Sequence, residues 1–157
     1  MLARPLRLAR RAASLPLSTW GALVRVTPVV LGARVALWVL PYRTVLRVFE
    51  PAQRPAAAPS PKHMRTVQVA DWVGRTFLGD MPCLSQALAA RWLLSRDGYA
   101  SDLKIGARME DGGLAAHAWL ERDGRVILGG ADSPTKYAQL ESMAPKVPPV
   151  HELSGTP

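Results

Sequence analysis

The chain has 157 residues, a net charge of +8 and a single cysteine, Cys83. One thiol excludes an internal disulfide framework, and a reducing, cytoplasmic setting is the simplest interpretation. The three histidines, His63, His117 and His151, are scattered without metal-ligand spacing, so we expect neither a metal nor another cofactor. The length suits one domain with an appendage.

The positive charge is concentrated at the N-terminus. Residues 1–50 carry eight arginines against one acid, Glu50, a net charge of +7. A basic, apolar segment suits an acidic partner or an anionic lipid surface. No base-reading motif accompanies the charge, so nucleic acid is not an expected partner.

The apolar part of this segment, residues 20–41, is interrupted by Arg25, Pro28 and Arg34. A membrane-spanning helix needs about 20 predominantly apolar residues, so we do not expect a span. The pattern favours a helical pair packed on the domain or on a partner protein. Peripheral membrane attachment by an amphipathic helix is the alternative.

Composition divides the chain into four segments. A basic helical segment, residues 1–50, should break at its prolines. A Pro- and Ala-rich linker follows at 51–61, then a compact domain at 62–140 and an irregular Pro-rich tail at 141–157. The prolines expected to break the first segment are Pro16, Pro28 and Pro41.

Two helices open the compact part. Apolar residues recur every three or four positions over residues 63–79, which predicts a helix that ends at Gly79. Asp80 is then a favoured N-cap for a second helix, with Pro82 and Cys83 in its first turn. Gly98 is typical of the C-terminal stop of that helix.

From residue 102 the apolar period changes from helical spacing to two. Strands are predicted at 103–109, 115–121 and 125–130, the last two joined by an Asp-Gly pair that favours a tight hairpin. Helices followed by an antiparallel three-strand meander, with a helix packed against it, indicate an α+β fold.

The chemistry of this layout rests on Cys83 and His117. A thiolate is favoured at a helix N-terminus by the helix dipole and the unpaired N–H groups there. An imidazole on a neighbouring strand can act as general base and then as acid. Either residue alone is more often structural; together they predict a thiol hydrolase or an acyltransferase.

A third group should orient the imidazole. With Asp123 and Gly124 as a two-residue loop, Leu120 would face Ile127 and His117 would face Gly130. Asp132 would then share the face of His117 at a diagonal position, about 7–8 Å away. This register predicts Asp132 as the orienting acid, whereas a one-residue shift would turn it to the other face.

These residues carry a family resemblance. Three motifs occur in order: CL-x-x-ALA from Cys83, L-x-IG-x-R from Leu103 and AHAWLE from Ala116. Together they make residues 64–132 resemble the C-terminal domain of lasso-peptide biosynthesis B proteins. The resemblance implies a papain/transglutaminase-like cysteine protease core with a Cys-His-Asp triad. Cys83 matches the nucleophile and His117 the base.

This chain differs from the family pattern at the acidic residue of the triad. It usually lies about a dozen residues after the histidine, where this chain has Gly129 and Gly130; Asp132 is the nearest substitute. A dyad completed by a backbone carbonyl or an amide is the alternative.

The resemblance also implies a function. It is the removal of the leader from a ribosomally made lasso-peptide precursor through a thioester, in the bacterial cytoplasm. An asparagine-synthetase-like cyclase would then close the new N-terminus onto an acidic side chain. Residues 1–50 are too short for the family's winged-helix recognition element, which implies the stand-alone protease form with a separate recognition protein. We expect the N-terminal basic helices to dock that protein, the leader or the cyclase.

Two other functions are compatible with the same residues. A transglutaminase-like acyltransferase would pass the acyl group to an amine rather than to water. A non-catalytic scaffold of the same fold would bind peptide or membrane, with Cys83 inert.

Overall fold

The computed structural model describes residues 17–54, 57–79, 82–110 and 112–140, and the predicted tail at 141–157 lies outside them. The helices are α1 (Leu17–Val39), α2 (Tyr42–Val48), α3 (Pro61–Phe77), α4 (Cys83–Arg96) and the short α5 (Ser133–Lys136). The strands are β1 (Asp102–Glu110), β2 (Gly113–Arg122), β3 (Arg125–Leu128) and β4 (Ala138–Gln139). They form one sheet in the order β3-β2-β1-β4, with every pair antiparallel. The predicted α+β arrangement is confirmed, and β4 adds a fourth strand beside β1.

One apolar core joins the helices to the sheet. Val30 of α1, Val73 of α3 and Leu88 of α4 are fully buried in it, together with Leu120 of β2. Arg25 of α1 also donates to the Asp97 carboxylate at 2.8 and 3.0 Å, just after α4. The described part of the N-terminal segment is thus packed into the domain that contains the predicted site.

Helix α1 runs through Pro28, so the predicted break there is wrong. A proline inside a helix removes one backbone hydrogen bond. Packing compensates for that loss, because Val26 and Val30 on either side of Pro28 have no exposed surface. The break at Pro41 is confirmed, since it separates α1 from α2, and Pro16 lies outside the described residues.

By length and composition, α1 could also cross a membrane, with a mean hydropathy of 1.6. Core helices of soluble proteins and signal sequences pass the same test, so composition alone does not distinguish these cases.

The described parts of the Pro- and Ala-rich linker are tied to the end of α4. The Ala52 N–H donates to Ser95 Oγ at 2.9 Å, and the Ala57 N–H donates to the Gly98 carbonyl at 2.8 Å. Two backbone donors of this stretch therefore have protein partners.

The C-terminal ends of the two helices near the predicted site follow the sequence signals, whereas the start of α4 does not, because its N-cap is Pro82 and not the predicted Asp80. Gly79 follows α3 with a φ of +59°, and Gly98 follows α4 with a φ of +74°, both in the left-handed region that favours glycine. Pro82 occupies the N-cap position of α4. The predicted cap, Asp80, lies outside the described residues.

The β2–β3 hairpin begins in the predicted register and then departs from it. Asp123 and Gly124 both have positive φ values, 51° and 72°, and Arg122 pairs with Arg125. An irregularity between Leu120 and Glu121 then makes Leu120 pair with Leu128, not with Ile127 as predicted. A bulge inserts one unpaired residue and displaces everything beyond it by one position. The register that placed Asp132 beside His117 is therefore wrong.

Candidate active site

Cys83 is the first residue of α4 and is partly exposed, with one side against the core. The start of the helix is fixed by the Pro82 carbonyl, which accepts from Ser85 Oγ at 2.9 Å and from the Gln86 N–H at 3.0 Å. The backbone N–H groups of a first helical turn have no acceptor within the helix. A thiol at this position therefore faces a local excess of positive partial charge.

His117 lies in β2, opposite Gly106 of β1. Side chains alternate along a strand, and the neighbouring Ala118 belongs to the core with the helices. The His117 ring therefore lies on the other face of the sheet. It stacks there between Trp119, at 6.1 Å between centroids, and Tyr137, at 4.9 Å.

Gly106 makes room for this stack. A Cβ on Gly106 would lie 2.8 Å from the Cβ of Tyr137 and 2.9 Å from two ring atoms of Trp119. Trp119 is fully buried, and its indole N–H donates to Glu121 at 2.7 Å. The ring of His117 is thus mounted among side chains that have little freedom to move.

One hydrogen bond determines which ring nitrogen of His117 carries the hydrogen. Its Nε2 lies 2.7 Å from the Gly129 carbonyl oxygen. A carbonyl only accepts, so Nε2 carries the hydrogen, and in the neutral ring Nδ1 holds the lone pair. Nδ1 is then the atom that can take a proton from a thiol.

The Gly129 carbonyl is itself held in place. Ser133 Oγ donates to the same oxygen at 2.8 Å, and Ser133 is 2 % exposed. Gly129 has a φ of +104°, and a Cβ there would lie 2.6 Å from the Cβ of Trp119. Both the conformation and the close approach require glycine.

Asp132, the predicted orienting acid, has a different partner. Its carboxylate pairs with Lys136 one turn along α5, and its side chain is 57 % exposed. The hydrogen bond from Lys136 keeps the pKa of Asp132 below its ordinary value. No hydrogen bond joins Asp132 to His117 in the described part of the chain, where the partner of Nε2 is the Gly129 carbonyl.

The structure places Cys83 and His117 on different sides of the sheet, because Cys83 packs against the core shared with the helices and the His117 ring lies on the opposite face. Gly74 of α3 lies directly against Gln86, one turn into α4, and the next residue, Arg75, lines a groove with Gly129. These contacts place both the first turn of α4 and Gly129 near the C-terminal end of α3. Across the described ranges, no hydrogen bond connects the Cys83 sulfur to the His117 ring. The pairing of Cys83 with His117 therefore stays a prediction.

Sequence reasoning missed Gly129 and Ser133 as candidate site residues. Ser133 left no signal, because a serine after a turn is common. Gly129 did leave one, because it lies twelve residues after His117, where the resembled family has its acid. The described residues contain no group of three His, Cys, Asp or Glu side chains that could hold a metal ion.

Comparison with known protein families identifies a related family. The model of a family described as the transglutaminase-like superfamily matches residues 28–142. No curated protein and no solved structure matches the chain significantly.

Proposed function

Because the chain belongs to the transglutaminase-like superfamily, we propose that it is a cysteine peptidase with Cys83 as nucleophile and His117 as acid and base. The observation that carries the proposal is the 2.7 Å contact between His117 Nε2 and the Gly129 carbonyl. It leaves Nδ1 basic on a ring whose orientation is fixed, which a general base requires. Superfamily membership and the position of Cys83 at a helix start support the same roles.

The proposed reaction requires the Cys83 sulfur to reach Nδ1 of His117, and its steps follow from these roles. Nδ1 takes the proton of the Cys83 thiol, and the sulfur attacks the carbonyl carbon of the scissile amide. The C–N bond then breaks as Nδ1 gives the proton to the leaving amine, which leaves a thioester on Cys83. Nδ1 next deprotonates a water molecule, which attacks the thioester and releases a carboxylate and the thiol. N–H groups of the first turn of α4 are suited to stabilise the oxyanion of each tetrahedral intermediate.

We assign the orienting role to the main chain of Gly129 instead of the carboxylate of Asp132. A carbonyl fixes the tautomer as a carboxylate does, but it contributes only a dipole towards the imidazolium that forms. Ser133 would then be a positioning residue, because its hydroxyl holds that carbonyl.

For the substrate we propose the leader of a lasso-peptide precursor, cut in the bacterial cytoplasm. The support is the ordered set of three motifs beginning at Cys83, Leu103 and Ala116. A separate winged-helix protein would present the leader, and an asparagine-synthetase-like cyclase would use the freed N-terminus. Superfamily membership is equally compatible with acyl transfer to an amine, so the test has to distinguish water from amine as acceptor.

The test is mass spectrometry of a candidate precursor incubated with the recognition protein and this chain. We expect a trimmed core with the wild-type chain and none with Cys83→Ala or His117→Ala. Equal trimming by Cys83→Ala would refute the peptidase. Incorporation of a labelled amine in place of water would identify an acyltransferase.

A second measurement addresses the pair directly. If His117 activates Cys83, alkylation by iodoacetamide near pH 7 should slow at least about tenfold in His117→Ala, because less of the thiol is then ionised. Trp72→Ala is a matched control, since it removes an exposed aromatic ring on α3. Equal alkylation rates in wild type and His117→Ala would favour the non-catalytic scaffold.

A further inference from the structure

The outer side of α1 carries a row of apolar side chains that no described element covers. We call this row the exposed stripe; its members recur every three or four residues, apart from one step of seven between Val24 and Leu31. They lie on the side of α1 away from the buried Val26, Val30 and Ala33. Trp38 is 90 % exposed and Val24 is 73 % exposed. The stripe consists of Leu17, Trp20, Val24, Leu31, Val35 and Trp38.

The charges around the stripe have one sign. Residues 17–49 contain four arginines and no acid, and residues 1–16 contain four more arginines and no acid. Arg25 is committed to Asp97 on the inner side. Within the described ranges, Arg34, Arg43 and Arg47 form no ion pair. A partner surface complementary to the exposed stripe and its arginines would therefore be apolar and negatively charged.

We propose that the exposed stripe binds the surface of an anionic lipid bilayer, with α1 lying in the plane of the interface. Apolar side chains with tryptophan near both ends suit the boundary between headgroups and acyl chains. The arginines supply attraction to anionic headgroups. The opposite side of α1 stays in the core, held by Val26, Val30 and the Arg25–Asp97 pair, which favours lying on the membrane over crossing it.

The experiment is co-sedimentation of the full chain with two kinds of vesicle. One is phosphatidylcholine alone, and the other is an equal mixture of phosphatidylcholine and phosphatidylglycerol. We expect binding to the mixed vesicles to be at least about tenfold tighter, and to weaken as salt rises, because screening shortens the reach of the arginines.

Single charge insertions test the stripe itself. Val35→Glu and Trp38→Glu should each weaken binding about tenfold or more, because a carboxylate enters the apolar side of the interface. Met109→Glu is the matched control: Met109 is similarly exposed but lies on β1, so binding should be unchanged. Cys83→Ala should bind like the wild type, which separates this proposal from the peptidase. Circular dichroism checks that each variant is folded.

Three outcomes would overturn the proposal. The first is equal or absent binding to the two vesicle types. The second is resistance of the bound chain to extraction by alkaline carbonate, which would indicate a spanning helix. The third is unchanged vesicle binding by the stripe variants, combined with a loss of precursor processing in a vesicle-free assay. That result would make the stripe a docking surface for the recognition protein.

Discussion

Replacing Gly106 by alanine tests the packing that mounts His117. The added methyl would lie 2.8 Å from the Cβ of Tyr137 and 2.9 Å from the Trp119 ring. Neither neighbour is the free end of a flexible chain, so the sheet or the stack must move. Overpacking of this kind costs about 1–3 kcal/mol. At about 2–4 °C per kcal/mol for a chain of this size, we expect Tm to fall by about 2–12 °C.

The assay is thermal unfolding monitored by circular dichroism. The control is a second glycine at which replacement by alanine should raise the stability instead of lowering it. Gly32 lies within α1, and nothing within 4 Å would meet its Cβ. Gly32→Ala should therefore stabilise the chain by about 0.5–1 kcal/mol, since alanine loses less entropy in a helix. We also expect Gly106→Ala to slow precursor processing, because the His117 ring packs against both displaced side chains. An unchanged Tm in Gly106→Ala would refute the claim that Gly106 is packed tightly against Tyr137 and Trp119.

Three further predictions concern the orienting group and the core. Ser133→Ala should lower kcat about fivefold to tenfold with KM nearly unchanged, as one buried hydrogen bond contributes about 1 kcal/mol; equal kcat values would remove Ser133 from the site. Asp132→Ala and its partner control Lys136→Ala should each change processing less than about fivefold, since exposed ion pairs contribute about 0–1 kcal/mol; a loss confined to Asp132→Ala would restore the carboxylate to the triad. Burial alone would raise the pKa of Asp97, but hydrogen bonds and charges from Arg25 and Lys62 outweigh it and lower the pKa. Arg25→Gln should therefore destabilise the chain in urea titrations at pH 7. The difference should be lost as the pH falls below about 4, through the folded pKa of Asp97, where that carboxylate is protonated; a difference that persisted in acid would contradict this.

Local signals predicted most of the fold. The change of apolar period at residue 102 marked the sheet, and Gly79 and Gly98 marked helix ends, because each of these signals acts within a few residues. The course of α1 through Pro28 could not be predicted in the same way. It depends on the burial of Val26 and Val30 against helices that lie far along the chain.

In the candidate site, too, local patterns were reliable and inferences across longer distances were not. Cys83 and His117 were predicted as site residues from their places at a helix start and on a strand, and the structure confirms those two places. Asp132 was placed by counting residues across a hairpin, and such counting fails at a single bulge. No local pattern in the sequence predicts the irregularity between Leu120 and Glu121.

The acceptor for His117 Nε2 belongs to the peptide backbone, which has a consequence for how sites of this kind are recognised. No amino-acid exchange can delete a carbonyl, and at Gly129 an exchange for aspartate would push a side chain into the backbone of Trp119. A survey that scores relatives by an intact acidic triad would discard this chain as a degenerate copy. Inspection of main-chain oxygens near the imidazole would retain it.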